Sequence, residues 1–397
     1  MNKYCLVFLL IISFINLSVN AQSVLETGGK RMPDEWIDSA THHKIIRLTR
    51  REGNNLSFYF HNNPFVDNKM LFYAKDEHQK SQLFIVNLST YKTEQLTHHR
   101  GTIKGEILST KRKEVFYQSD DTVFACNINS GRERMVYVFP NDFKGDITTV
   151  NADGTQLGGV YASPEEKEIS KQYPQKHDYF NRIYEAKLPR TLFTIDIDKR
   201  TLRKLFTDSA WLNHVQFSPV NPHLMMFCHE GPWHKVDRIW TIDTDTKKVQ
   251  LIHKRSMEME IAGHEWFSAD GNTIWYDLQL PKGKTFYVGG TDLQSGKEIK
   301  YNAGRDGWSV HYNSSSDNKL FAGDGGDSAA VAKALNGRWI YLFTPVGENF
   351  VAEKLVSMNN HHYRLEPNVH FSPDEKWIIF RANFEGVENV YAVEIRK

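Results

Sequence analysis

The sequence predicts an all-β fold, a single seven-bladed β-propeller with four-stranded blades. Three observations predict it: a hairpin that recurs seven times, a second hairpin behind most of its copies, and an aromatic content of 13% with scarce helical periodicity. The first hairpin is clearest at Val369-His370-Phe371-Ser372-Pro373-Asp374 followed by Trp377-Ile378-Ile379-Phe380. It is equally clear at Trp266-Phe267-Ser268-Ala269-Asp270-Gly271 followed by Thr273-Ile274-Trp275. Pro-Asp and Asp-Gly signal turns, and β-forming residues flank them. Weaker copies turn at Asp67-Asn68, Lys111-Arg112, Asp153-Gly154, Val220-Asn221 and Asp317-Asn318. Second hairpins open on residues 83–88, 192–197 and 239–243. Units of roughly 40–50 residues with four strands each are a propeller signature. The wide third gap holds a charged insertion, residues 164–187, expected to be a lid or rim loop. The last strand, residues 389–395, can be joined by one from residues 38–48, closing the ring.

Residues 1–21 read as an export signal. Lys3 is basic, Leu6 to Ile15 is mostly apolar, and Val19-Asn20-Ala21 is an A-x-A-like cleavage site. The run is too short to span a bilayer comfortably. Residues 22–397 are therefore expected to be the propeller, periplasmic or secreted, with no membrane insertion after cleavage. A formal net charge of +1 offers no basic patch for nucleic acid. Only Cys126 and Cys228 follow the leader, so at most one disulfide is available.

One register carries the chemistry. The residue six before each turn is, in blade order, His61, Gly105, Ile147, His214, His264, His311 and Asn368. Histidine is only 17 of 397 residues, so four at one repeated position is a strong enrichment. The innermost strand of a blade lines the central channel, and equivalent positions converge on one axis. The loops joining second and third strands return to the same face. In the fourth blade that loop runs from His229-Glu230-Gly231-Pro232-Trp233-His234 to Asp237-Arg238, and in the sixth it is Gly323-Asp324-Gly325-Gly326-Asp327. Polar, glycine-rich loops above a histidine ring describe a site at the channel mouth.

Strand alternation would put Glu366, Asn368 and His370 on one face if the strand is regular. With His311 they form a candidate nitrogen and oxygen set for a divalent cation. The bland alternative is a polar channel in which these side chains bond one another and water. His214, His229, His234 and Trp211 are candidate sugar-binding residues, and Cys228 reads as a buried strand residue. A neutral histidine can act as general base. An arginine or a metal can neutralise a carboxylate. Together they suit removal of a proton α to a carboxylate, which in a uronic acid is at C5.

The motifs His229-Glu230-Gly231-Pro232, Val236-Asp237-Arg238-Ile239-Trp240, His264-Glu265-Trp266, His311 and Gly323-Asp324-Gly325 resemble those of oligogalacturonate lyases. That family's members are seven-bladed propeller enzymes of pectin breakdown, and the likeness spans nearly the whole exported chain. The resemblance implies β-elimination on a uronate oligosaccharide, giving a 4,5-unsaturated product. It implies His264 as the Brønsted base and Arg238 at the carboxylate. It also implies manganese, held by His311 together with a Gln and two His on the last blade. Here the chain departs from the family: Tyr363 falls at the Gln position, and Glu366-Pro367-Asn368 replaces His-x-His. A site of His311, Glu366, Asn368 and His370 would be harder and compatible with manganese, calcium or magnesium. Binding no metal, acting on a different uronate glycan, and being a non-catalytic TolB-like propeller remain the alternatives. A peptidase is excluded, because no G-x-S-x-G elbow or hydrolase domain is present.

Overall fold

A computed structural model describes residues 22–397; the export signal expected over residues 1–21 lies outside the described residues. Seven blades are arranged around one axis, the fifth and sixth joined into one eight-stranded sheet by the parallel pairing of Asn302 with Asn349. Blade 1 is built from Asn55–Leu56, Phe65–Val66, Lys69–Lys75, Ser81–Asn87 and Thr93–Gln95. Blade 2 follows from Lys104–Ser109 to Glu133–Val138, and blade 3 from Asp146–Val150 to Thr201–Asp208. Blade 4 runs from Leu212–Phe217 to Val249–Leu251, blade 5 from Ile261–Phe267 to Glu298–Asn302, and blade 6 from Tyr312–Ser314 to Asn349–Ser357. Blade 7 takes His370–Phe371, Trp377–Ala382 and Asn389–Glu394 from the C-terminal end. Its fourth strand is Lys44–Arg47, which pairs antiparallel with Asn389–Glu394. The ring is therefore closed by hydrogen bonds between the two ends of the propeller, which removes an exposed edge.

All seven first hairpins turn where the sequence places them. Ser-x-Asp explains three of the turns. Ser268, Ser315 and Ser372 each donate to the Asp two residues on, at 2.5, 2.9 and 2.6 Å. Each serine oxygen also accepts the backbone N–H of the residue that starts the returning strand or lies next to it, at 3.0–3.1 Å. Such side-chain bonds favour turns over continued strand.

The core is divided in the same sevenfold way. Phe116 and Phe193 belong to a cluster between blades 2 and 3, Phe217 and Leu192 to one between blades 3 and 4, and Met226 and Ile274 to one between blades 4 and 5. Trp275 and Phe321 join blades 5 and 6, Ile340 and Phe380 blades 6 and 7, Phe72 and Ile379 blades 7 and 1, and Leu71 and Val115 blades 1 and 2. Each blade thus buries both faces against its neighbours.

The insertion in blade 3 is not a loop. It forms two helices, α1 (Pro164–Gln172) and α2 (Lys176–Ala186). Pro164 at the first helical position after Ser163, with Glu165 and Glu166 in the first turn, is a helix-start signal. Cys126 and Cys228 are both buried and unbridged. No helix among the described residues is long and apolar enough to cross a membrane.

Candidate active site

At four of the seven register positions the backbone turns left-handed. His214, His264 and Asn368 take left-handed φ values of 46°, 49° and 51°, and Gly105 one of 113°. In blades 4 and 5 the ladder shifts register across the same positions, between Asn213 and Gln216 and between Gly263 and Trp266. The extra residue of a bulge re-aims a side chain, and bulges gather beside active sites. Histidine, asparagine and glycine are also among the residues that tolerate this backbone. Their recurrence therefore has a conformational cause besides a chemical one.

Above the bulges opens a cavity of about 1070 Å³. Tyr59, Phe60 and His61 of blade 1 form part of its wall, and His214, Arg238 and His264 another part. The loop residues Glu230 to His234 lie over it, and Lys176, His177, Phe180 and Asn181 of α2 complete one side. The insertion thus borders the cavity, as a rim should. Phe180 packs on Trp211, with ring centroids 5.1 Å apart, and Arg190, anchored by Glu166 of α1, reaches Leu212 O.

His264 hangs in this cavity with no hydrogen-bond partner for its buried Nδ1. Its ring meets Trp233 and His311 edge-on, at centroid distances of 5.0 and 4.8 Å. Burial, then the neighbouring His311 and Arg238, push its pKa well below the ordinary histidine value. It is a neutral imidazole, as a base must be before it acts. Arg238, 2% exposed, is held by two carboxylates. Its Nη1 donates to Glu230 Oε1 at 2.8 Å and its Nε to Glu265 Oε2 at 3.1 Å. The guanidinium lies 4.6 Å from the Trp233 ring centre, and Trp233 Nε1 donates to the same Glu230 oxygen. His214 Nε2 sits 3.2 Å from Glu230 Oε2. Burial works against the charge on Glu230, but Arg238 and His214 outweigh it and hold the carboxyl far below its usual range.

His311 is oriented differently. Asp324 Oδ1 accepts the His311 backbone N–H at 2.8 Å, and Oδ2 accepts Asn368 N–H at 3.2 Å and faces His311 Nδ1 at 3.0 Å. With Asp324 as acceptor Nδ1 donates, and Nε2 is turned toward Tyr59 and Glu366. Nε2 meets the Tyr59 hydroxyl at 3.2 Å and lies 3.8 Å from Glu366 Oε2.

The four candidate metal-ligating residues do not come together as one set. His311 and Glu366 do. Asn368 has its side chain engaged with backbone: Oδ1 accepts Phe60 N–H at 3.0 Å, and Nδ2 donates to Glu366 O at 3.0 Å. His370 Nε2 lies against the carbonyls of Tyr59 and Asn62, at 3.2 and 3.1 Å. The left-handed residue at Asn368 breaks the strand alternation that would have put it on one face with Glu366 and His370. Among the sugar-binding candidates, His214 and His234 line the cavity, whereas Trp211 is buried under Phe180 and His229 stacks on Trp240 at 4.6 Å. A second donor cluster, His214, Cys228 and Glu230, has ligand atoms within 4.8 Å of one another, but Arg238 already occupies Glu230. Glu230, Glu265 and Asp324 went unread in the sequence, although each sits inside a motif quoted there.

The fold and site define a β-propeller whose central cavity gathers histidines beside a buried arginine held by two glutamates. The description "Oligogalacturonate lyase" matches residues 28–397, and the chain belongs to that family. It is 24% identical over 375 residues to the oligogalacturonide lyase of Pectobacterium atrosepticum, covering 90% of this chain and 95% of the relative. It is also 24% identical over 374 residues to the oligogalacturonate lyase of Dickeya dadantii, with the same coverage of each chain. Among solved structures, an oligogalacturonate lyase in complex with manganese superposes with a TM-score of 0.79 at 23% identity, over 94% of this chain and 99% of the other. The oligogalacturonate lyase of Vibrio parahaemolyticus superposes with a TM-score of 0.79 at 23% identity, over 95% and 99%. These superpositions confirm the propeller.

Proposed function

We propose that this enzyme cleaves oligogalacturonate by β-elimination in the cavity over His264. The observation that carries the reading is the juxtaposition of a neutral, unpartnered imidazole with an arginine whose charge cannot be lost. The uronate carboxylate lies toward Arg238, which makes the C5 hydrogen more acidic. His264 takes that proton. The C5–H electron pair becomes the C4=C5 double bond, and the C4–O4 bond breaks, releasing the sugar attached through O4 with a proton on that oxygen.

His311 Nε2 and Glu366 would hold a divalent cation. One imidazole and one carboxylate, with Asp324 fixing the imidazole, fit an open and oxygen-rich site for manganese, magnesium or calcium. The cation would supply further charge neutralisation at the substrate carboxylate. His214, His234, Lys176 and Lys282 surround the same cavity and suit the remaining carboxylates of an oligouronide.

The test is absorbance. Oligogalacturonides incubated with the protein should give rising ultraviolet absorption from the conjugated double bond. His264→Ala should lower the rate by about 10²–10⁴-fold. No rise with the wild-type chain, with or without manganese, would sink the reading. The altered last blade, with Tyr363 Oη bonded to Asp324 O and Asn368 engaged by backbone, favours a second reading on another uronate glycan; a substrate panel separates the two. We further propose export, on the leader features of residues 1–21; processing after Ala21, read by N-terminal sequencing of protein recovered outside the cytoplasm, tests it.

A further inference from the structure

Asp277 is a buried carboxyl on the wall of this cavity that the reaction has not yet used. It belongs to the second strand of blade 5, Thr273–Gln279, directly across the ladder from Gly263, the residue before His264. It is 1% exposed. Trp308 Nε1 donates to its Oδ1 at 3.2 Å and Gln279 Nε2 to its Oδ2 at 3.1 Å. Both donors are neutral, and among the described residues no cation bonds to it. The charged and titratable groups nearby are His264, Arg238, Glu230, Glu265 and Lys282 along the cavity, and Tyr312. Arg238 is engaged by its two glutamates.

An anion buried against two neutral donors is costly, so the protonated form is favoured. Burial pushes Asp277 up to about 7. A bound uronate, being an anion, pushes the same way. Glu230 in the same cavity is held ionised beside Arg238 and His214. Acid and base roles follow where environments drive titratable groups apart in this manner.

We propose that Asp277 is the general acid of the elimination, its carboxyl O–H protonating O4 as the C4–O4 bond breaks. This rests on the β-elimination reading of the same site. The balance closes. His264 gains the C5 proton, O4 keeps the bonding pair and receives the proton from Asp277, and the double bond takes the C5–H pair. The cycle ends when the proton on His264 is lost to solvent and one returns to Asp277. No water is consumed, and nothing is oxidised or reduced.

Asp277→Asn is the deciding variant, because the amide keeps shape, neutrality and a hydrogen-bond donor but has no proton to transfer. The expected result is a fall in kcat on oligogalacturonides of about 10²–10⁴-fold with KM changed by no more than about threefold. The basic limb of the wild-type pH–rate profile should disappear with it. Asp277→Glu should recover part of kcat and show a displaced basic limb, and it carries the test alone should the amide variant not fold. Wild-type kcat in Asp277→Asn, or an unmoved basic limb in both variants, overturns the assignment while leaving the elimination standing. A wild-type chain that yields no unsaturated product overturns both.

Discussion

Arg238 Nε donates to Glu265 Oε2 at 3.1 Å, and Glu265 is the sequence neighbour of His264. The proposed base and the anchor of the proposed charge-neutralising arginine are therefore consecutive residues of one bulged strand. The arginine itself comes from the loop of the preceding blade. The distance between the two reacting groups is set across a blade interface, independently of any flexible linker. Glu230 on the other side of the guanidinium makes the clamp two-sided.

This geometry predicts different outcomes for two substitutions at one position. Arg238→Lys keeps the charge but replaces a planar fork with a point donor, which cannot hold both glutamates as they stand. Stability should fall by less than in the alanine variant, because the charge is kept, while kcat/KM falls by about 10²-fold. Arg238→Ala instead leaves two buried carboxylates without a cation and should cost about 3–5 kcal/mol of stability. Thermal unfolding alongside initial rates checks both. A lysine variant with wild-type kcat/KM would remove the arginine from the reaction.

The propeller was legible because its turns are written in short local codes such as Ser372-Pro373-Asp374, and because ladder strands alternate. The site was legible for a reason not visible in the sequence. Counting six residues back from each turn lands on the bulge in blades 4, 5 and 7, where a left-handed backbone both selects His or Asn and aims it. The same bulge defeated the strand-parity argument at Asn368, since alternation holds only in regular strand. Glu265 was hidden because a carboxylate next to a histidine reads as ordinary surface until the fold buries it. Asp277 gave no signal, because its environment is made by Trp308 from the next blade.

The proposed cation site can be separated from its look-alikes. Manganese bound per chain, measured by elemental analysis after dialysis, should fall sharply for His311→Ala and Glu366→Gln. It should be unchanged for His370→Ala, whose ring faces backbone carbonyls. Asp324→Asn should weaken binding by about 10–100-fold through loss of the imidazole orientation. Metal loss in His370→Ala equal to that in His311→Ala would refute this ligand assignment.

Gly231 couples the helical insertion to the loop over the cavity. Its φ is +144°, and a Cβ there would lie 2.5 Å from the Tyr184 ring of α2. Gly231→Ala should therefore displace α2, which carries Lys176 and Asn181 to the cavity. KM for longer oligogalacturonides should rise by about tenfold, with kcat changed by less than about threefold. An equal fall in kcat would mean that the insertion positions the reacting groups themselves.

Asp277 also makes stability depend on pH in a direction opposite to that of most carboxylates. Its pKa stands at about 7 in the folded chain against an ordinary 3.8. Below pH 4 both states hold the proton and there is no difference. Between about pH 4 and 7 the unfolded chain releases it while the folded chain retains it, so the free energy of unfolding falls as pH rises. Above pH 7 the folded state carries the full penalty, on the order of 4 kcal/mol. Asp277→Asn removes the titration. Denaturant unfolding of the two proteins should show the variant gaining on the wild type between pH 4 and pH 8 by about that amount. If the difference between them were the same at both pH values, the carboxyl would be ionised in the folded chain, and no proton would be available for O4.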